Sequence, residues 1–117
     1  MARVRPIPPA LMRHSMEVRE PAVGSTRGGE YERPRTVSNV RYQAVLGTRQ
    51  TAYQLQDGTT GIVFVDAETS AGAFEVPAGS KLAILAPDGW TASVSVLACR
   101  RFEGAGGRVH HWELEVR

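Results

Sequence analysis

The stretch that decides the fold is KLAILAPDGWTASVSVLACR, residues 81–100. Two apolar segments, 81–86 and 90–100, lie on either side of Pro87-Asp88-Gly89. Proline presets the backbone of a turn, aspartate can bond that backbone, and glycine accepts a positive φ. In the second segment polar and apolar residues alternate with the period of two that is typical of a strand. The sequence therefore predicts a β-hairpin over residues 81–100.

Strand patterns continue on both sides of this hairpin. Residues 12–19 alternate, with Met12, Met16 and Val18 predicted on one face. Residues 36–43 resume the strand pattern, and residues 61–67 are apolar on both faces, which is typical of a strand covered on both sides. The last strand, 109–116, is predicted to place its apolar residues opposite a second face, which consists of His111, Glu113 and Glu115. The count is six or seven short strands, which predicts a small antiparallel β-barrel or a sandwich.

The composition allows one domain. The chain has 117 residues, of which 42% are hydrophobic, with 12 glycines and 7 prolines. This frequent punctuation favours short strands and turns over long helices. The single cysteine, Cys99, excludes an internal disulfide. No apolar run approaches the ~20 residues of a membrane span, and the first residues lack the apolar stretch of a signal peptide. We therefore expect a protein that is made and kept in a cytoplasm, or in a particle assembled there, with no membrane partner.

Two segments do not fit the strand pattern. Residues 1–10 contain three prolines and predict an extended N-terminal arm that carries Arg3 and Arg5. Residues 44–60 predict one long loop inserted in the barrel domain 11–117, and a short helix over 49–56 is a weakly patterned alternative. Loops of this length in compact domains are usually functional or disordered. Its polar and charged residues include Arg49, Gln50, Gln54, Gln56 and Asp57.

No set of residues predicts catalysis, a metal site or a cofactor. His110 and His111 are neighbours on a strand, so we expect them on opposite faces, unable to share one ion. Arg100 and Arg101 could lower the pKa of Cys99, although a strand cysteine is more often a small core residue. Glu113 and Glu115 share a face that we expect to be solvated, or to contact the arginines of a neighbouring subunit. The chain is predicted not to be an enzyme.

The charge distribution is uneven. Residues 1–50 carry nine arginines against four glutamates, whereas residues 51–117 carry five basic and eight acidic side chains. This polarity suits a subunit that meets different surfaces at its two ends, although chance in a short chain explains it equally well. The eight aromatic residues are scattered and do not form a platform on which nucleic-acid bases would stack.

The order of these features resembles the small head-closure proteins, or stoppers, among the minor capsid proteins of long-tailed bacteriophages. A proline-containing arm runs into a strand at 8–18, and Asn39-Val40-Arg41 lies in the second strand. A buried strand follows at 62–67 after a variable polar segment. The resemblance ends with an Asp-Gly-aromatic turn at Asp88-Gly89-Trp90 and a closing strand at 110–116. It covers nearly the whole chain.

The resemblance implies a structural role in the virion. Such proteins form a homo-oligomeric ring, of twelve copies in the best-known members, below the portal and adaptor rings. The ring closes the DNA channel after packaging and provides the docking surface for the tail terminator or tail tube. The inserted loop would face packaged DNA in the channel and act as the plug, with Arg49, Gln50, Gln54, Gln56 and Asp57 as its polar residues. Arg3 and Arg5 would form an assembly arm toward a neighbour or the adaptor.

Two other functions stay open on the sequence. One is a tail terminator or tail-completion subunit of the same virion. The other is a small nucleic-acid-binding β-barrel of the host. A polar loop that is almost neutral suits a channel that holds DNA briefly, because a ring of many arginines would bind phosphate strongly through counterion release.

Overall fold

The hairpin predicted over residues 81–100 is present and forms one side of a closed barrel. A computed structural model describes residues 5–23, 30–45, 55 and 57–117. Every strand pair is antiparallel, and the strand order is β1-β2-β3-β6-β5-β4, with β4 pairing back onto β1. The prediction of an all-β antiparallel barrel is confirmed, and the barrel rather than the sandwich is the form observed. The strands are β1 His14–Arg19, β2 Arg35–Ala44, β3 Gly61–Asp66, β4 Lys81–Leu85, β5 Thr91–Glu103 and β6 Val109–Val116.

The alternating pattern of the sequence determines which side chains enter the barrel. In β1, Met16 and Val18 are buried while Glu17 and Arg19 are exposed. Removal of such apolar side chains from water is the main stabilising contribution, on the order of 1.5–3 kcal/mol for each large one. The remaining core residues come from all the other strands and from one connection: Val37, Val40, Val63, Val65, Val76, Leu82, Ile84, Val96, Trp112, Leu114 and Val116.

One irregularity in β2 changes the faces of its residues. Asn39 has a φ of +57°, a left-handed conformation that asparagine tolerates better than most residues. The register between β1 and β2 shifts at this point. As a result Val37 and Val40, which are three residues apart, both point into the core. The bulge lets a single long strand pair with β1 through its first half and with β3 through its second half.

The connection between β3 and β4 covers one end of the barrel. It pairs with β2 through the Ser38–Ala71 bridge and places Val76, which is fully buried, in the core. At Gly72, a β-carbon would lie 2.8 Å from the carbonyl oxygen of Thr36, so only glycine allows this approach. We call this end, which also contains the β5–β6 hairpin, the crossover end.

A short helical turn lies where the predicted N-terminal arm, 1–10, meets the barrel domain. Pro9–Leu11 forms one turn of 3-10 helix, in which the amide of Met12 donates to the carbonyl oxygen of Pro9 at 3.0 Å. Proline at the first position of a helical turn loses no hydrogen bond, which explains why three prolines in ten residues still allow this turn. The turn redirects the chain so that Met12 is buried before β1 begins. In the part of the chain that the structure describes, no helix is long and apolar enough to cross a membrane.

Candidate functional site at the barrel rim

The predicted insertion starts and ends at a fixed hydrogen-bonded base. The amide of Val45 donates to the carbonyl oxygen of Thr60 at 2.9 Å, which extends the β2–β3 ladder by one pair. The amide of Thr60 donates in turn to the carbonyl oxygen of Val116 at 2.8 Å. The two ends of the insertion are therefore tied to each other and to the last strand. We call this end of the barrel the rim.

Only part of the predicted loop lies within the described residues. Asp57 is exposed and begins a turn in which Gly58 has a φ of +86°. Arg49, Gln50, Gln54 and Gln56, and with them the alternative helix over 49–56, lie outside the described residues.

An aromatic cluster closes the mouth of the barrel beside this base. The indole of Trp90 stacks on the ring of Tyr42 with 5.5 Å between ring centroids, and the imidazole of His14 meets the indole edge-on at 6.4 Å. Tyr42, in β2, packs against the core, and Trp90 directly follows the turn of the β4–β5 hairpin. The amide of Trp90 donates to Asp88 Oδ1 at 3.0 Å, which holds the turn in place. The sequence marked this turn as a hairpin but did not identify the cluster, because its three members come from three different parts of the chain.

The rim also exposes apolar surface. Trp90 is 45% exposed and Leu85, at the end of β4, is 48% exposed. Burial, followed by the positive charge of Arg41, lowers the pKa of His14, although Asp88 opposes this effect.

The arm residues that the structure describes contact the chain's own barrel at the crossover end. The amide of Ile7 donates to Asp66 Oδ2 at 2.8 Å, and the hydroxyl of Thr69 donates to the carbonyl oxygen of Ile7 at 2.6 Å. The carbonyl oxygen of Arg5 lies 2.6 Å from His110 Nε2. Arg3 lies outside the described residues, and the side chain of Arg5 is exposed. We call this contact the arm clasp.

Asp66 is the centre of the arm clasp. Its side chain is fully buried, and Oδ1 accepts the amides of Glu68 and Thr69, both at 2.9 Å, while Oδ2 accepts Ile7. Burial alone would raise the pKa of Asp66. The three amides, together with the positive charge of His110, outweigh burial and lower the pKa. The carboxylate is therefore a structural acceptor rather than a candidate acid or base.

The two adjacent histidines do not separate as the strand alternation predicts. His110 Nδ1 lies 2.9 Å from His111 Nδ1, and His111 Nε2 lies 2.8 Å from Glu113 Oε2. The ring of His111 also stacks on Phe102 with 4.7 Å between centroids. The register between β5 and β6 shifts next to this pair, which allows the rings to turn toward each other. Within the described ranges, no group of three or more His, Cys, Asp or Glu side chains is arranged to hold a metal ion.

The expectation for Glu113 and Glu115 is also wrong in part. Glu115 is fully buried rather than solvated, and Arg100 Nε of the same chain lies 2.5 Å from Glu115 Oε2. The side chain of Glu113 is only 14% exposed. The shift in register that follows Val96 in β5 sets the strand positions that bring Arg100 to Glu115, and the sequence pattern does not reveal this shift. The half-exposed Arg100 thus gives the buried carboxylate of Glu115 a charged partner on the neighbouring strand.

Cys99 does not have an activated thiol. Burial, followed by the negative charge of Glu75, raises its pKa to about 11, although the backbone amide of Val76 has the opposite effect. The neighbouring arginines do not lower it. Glu75 is itself held by Trp112, whose indole nitrogen donates to Glu75 Oε1 at 3.0 Å. The thiol packs against the core.

Comparison with known proteins identifies no relative. No family model matches the chain, and no curated protein and no solved structure matches it significantly.

Proposed function

We propose that this chain is a structural subunit of the head–tail connector of a tailed bacteriophage. Copies of it form a ring below the portal and adaptor rings, and the insertion over residues 44–60 closes the DNA channel after packaging. The ring presents a docking surface to the tail terminator or tail tube. This assigns the protein to the virion, with assembly in the host cytoplasm.

The observation that carries the proposal is the tied base of the insertion. A plug needs a segment that can change position and a frame that does not move with it. The Val45–Thr60 and Thr60–Val116 hydrogen bonds join the ends of the insertion to the barrel ladder. The barrel provides this fixed frame, because every strand is hydrogen-bonded to a neighbouring strand on each side.

The aromatic cluster supports a docking role for the rim. Trp90 and Leu85 expose apolar surface at the same end as the base of the insertion. Tryptophan anchors are among the most effective residues in protein interfaces. Tyr42 supports the indole from below, so the side chain is already ordered before a partner binds.

The proposal is tested by shortening the insertion at its tied base. Residues 46–56 are replaced by Gly-Ser-Gly-Ser, which keeps Val45 and Thr60 paired. We expect rings that assemble, as measured by native mass spectrometry, but heads that lose DNA, as measured by nuclease-sensitive DNA release and electron microscopy. A matched control replaces residues 24–29, in the β1–β2 connection, with the same linker and is expected to retain DNA.

Two outcomes would contradict the proposal. Heads that retain their genome with the shortened insertion would exclude the gate function. A protein that never assembles with a portal, adaptor or tail component would exclude the connector as a whole. Rings that bind tail tubes but not emptied heads would favour the alternative of a tail terminator or tail-completion subunit.

A further inference from the structure

Three cations are aligned across one outer face of the barrel. Arg19 of β1 is paired in register with Lys81 of β4, and Lys81 is paired with Ser95 of β5. Ser95 and Arg117 exchange two backbone hydrogen bonds, both 3.0 Å long. Residues that are paired in register point to the same side of a sheet. Arg19, Lys81, Ser95 and Arg117 therefore form one line at right angles to the strands, which we call the cation row.

Among the described residues, no acidic side chain forms an ion pair with the cation row. All twelve aspartates and glutamates of the sequence lie within residues 5–23, 30–45, 55 and 57–117. Across these ranges, none of them forms an ion pair with Arg19, Lys81 or Arg117. Glu17 shares the same shallow groove, but it is exposed and forms no ion pair with the row among the described residues.

This arrangement opposes stability and therefore suggests another function. Like charges directly opposite each other on neighbouring strands destabilise a sheet. Arg19 and Lys81 are such a pair, and both are exposed. The small side chains of Ser95, within the row, and of Ala83 and Ser93, beside it, leave a groove of about 290 Å³. The backbone of an extended ligand could approach closely there.

We propose that the cation row binds the phosphodiester backbone of DNA without reading its sequence. A linear ligand with charges of one sign matches a row of three cations across three strand spacings, about 14 Å in all. Protein surfaces generally mix both signs of charge and match such a row less well. No aromatic side chain lines this groove within the described part of the chain, so the contact involves phosphates and not bases.

The position of the row connects it to the insertion. A β-carbon on Gly58 would lie 3.3 Å from Arg117 Nη1, so the Arg117 end of the row lies beside the end of the insertion. The choice of DNA over an acidic protein rests on the proposed function, in which the insertion faces DNA. Each copy would then contribute a contact of only three charges beside the insertion.

The test measures how DNA affinity depends on salt. A fluorescent 20-base-pair duplex is titrated with the full chain at several concentrations of NaCl, and binding is followed by anisotropy. Three phosphate contacts predict a slope of about −2.7 for log K against log salt, so a tenfold rise in salt weakens binding roughly 500-fold. In the triple variant Arg19→Gln, Lys81→Gln, Arg117→Gln we expect a slope close to zero.

A matched variant separates the row from net charge. Arg13→Gln, Arg33→Gln, Arg108→Gln removes three other exposed arginines and changes the net charge equally. It is expected to keep the wild-type slope. Thermal unfolding of both variants checks that they fold.

Three results would overturn the proposal. These are a wild-type slope close to zero, an equal loss of affinity in both triple variants, and competition by poly-glutamate as strong as that by duplex DNA. The last result would assign the row to an acidic protein partner.

If the row does not bind DNA, the connector proposal is not affected, since DNA retention by heads depends on the insertion. If heads retain DNA without the insertion while the protein still binds the duplex, the connector proposal is wrong and the proposal that the cation row binds DNA is unaffected.

Discussion

At Gly61, a β-carbon would lie 2.6 Å from Cε1 and 2.8 Å from the hydroxyl oxygen of Tyr42. The backbone of Gly61 is otherwise ordinary strand, so glycine is needed here for space and not for conformation. The ring of Tyr42 fills that space and supports Trp90. The absence of a β-carbon at Gly61 therefore allows Tyr42 to take the position in which it stacks on Trp90.

We predict that Gly61→Ala lowers the free energy of unfolding by about 1–3 kcal/mol, because the ring of Tyr42 must leave its position. Urea unfolding measures this, and the fluorescence of Trp90 should shift as its support is lost. In a Tyr42→Val background the same substitution should cost much less, because the clash is gone. Equal costs in both backgrounds would show that Gly61 is not limited by Tyr42.

Structural features that depend on neighbouring residues in the sequence could be predicted, whereas features that depend on how the strands pair could not. The alternation of Met16 and Val18 and the turn at Pro87-Asp88-Gly89 are local, and both predictions are confirmed. The burial of Glu115 depends on the irregular pairing of β5 with β6. The rim cluster and the cation row likewise bring together residues that are far apart in the chain, so their sequence spacing carries no signal.

Among the elements, the turn after β3 has the densest polar contacts with the N-terminal segment. Asp66 accepts the amide of Ile7, and Ser70 Oγ lies 2.5 Å from the carbonyl oxygen of Asn39. The left-handed Asn39 and the turn therefore meet, and the side-chain Nδ2 of Asn39 donates to the carbonyl oxygen of Thr69 at 3.3 Å. The arm clasp is built on this junction, which the proline-rich arm sequence did not predict.

We predict that Asp66→Asn lowers the free energy of unfolding by about 2 kcal/mol at pH 7, because buried amides lose a charged acceptor. The folded protein holds the pKa of Asp66 below its usual value. Its stabilising contribution is therefore complete above the unfolded pKa and is lost as the pH falls through the lower folded pKa. The gap between wild type and variant, measured by urea unfolding, should narrow below about pH 4.

Glu32→Gln provides the control, since Glu32 is exposed and none of its side-chain contacts is part of the clasp. Its free energy of unfolding should match wild type within about 0.5 kcal/mol at every pH. A gap for Asp66→Asn that is constant from pH 7 to pH 2.5 would contradict the clasp as described.

Across the whole molecule, the cation row crosses β1, β4 and β5 and ends beside β6. Arg19 and Lys81 lie directly opposite each other, and no aspartate or glutamate of the described residues forms an ion pair with the row. If the row binds a ligand at the expense of stability, removing one of its charges should raise the free energy of unfolding of the isolated chain.

We predict that Lys81→Gln raises the free energy of unfolding by about 0.2–1 kcal/mol at low salt, because it removes the charge opposite Arg19. The gain should shrink as salt screens the repulsion. Urea unfolding at 20 mM and 500 mM NaCl measures both effects. Arg108→Gln, at an exposed position in the β5–β6 connection, is expected to change little. A loss of stability in Lys81→Gln would show that Lys81 has a favourable partner.

The paired ends of the insertion limit how strongly its length affects the stability of the barrel. Because Val45 and Thr60 already meet, extra residues between them add only loop-closure entropy, about 0.6 kcal/mol for each doubling of length. Changes in the length of this segment should therefore affect the stability of the barrel little, whatever they do to the proposed plug. For the same reason, an epitope tag spliced into this segment should leave the barrel folded.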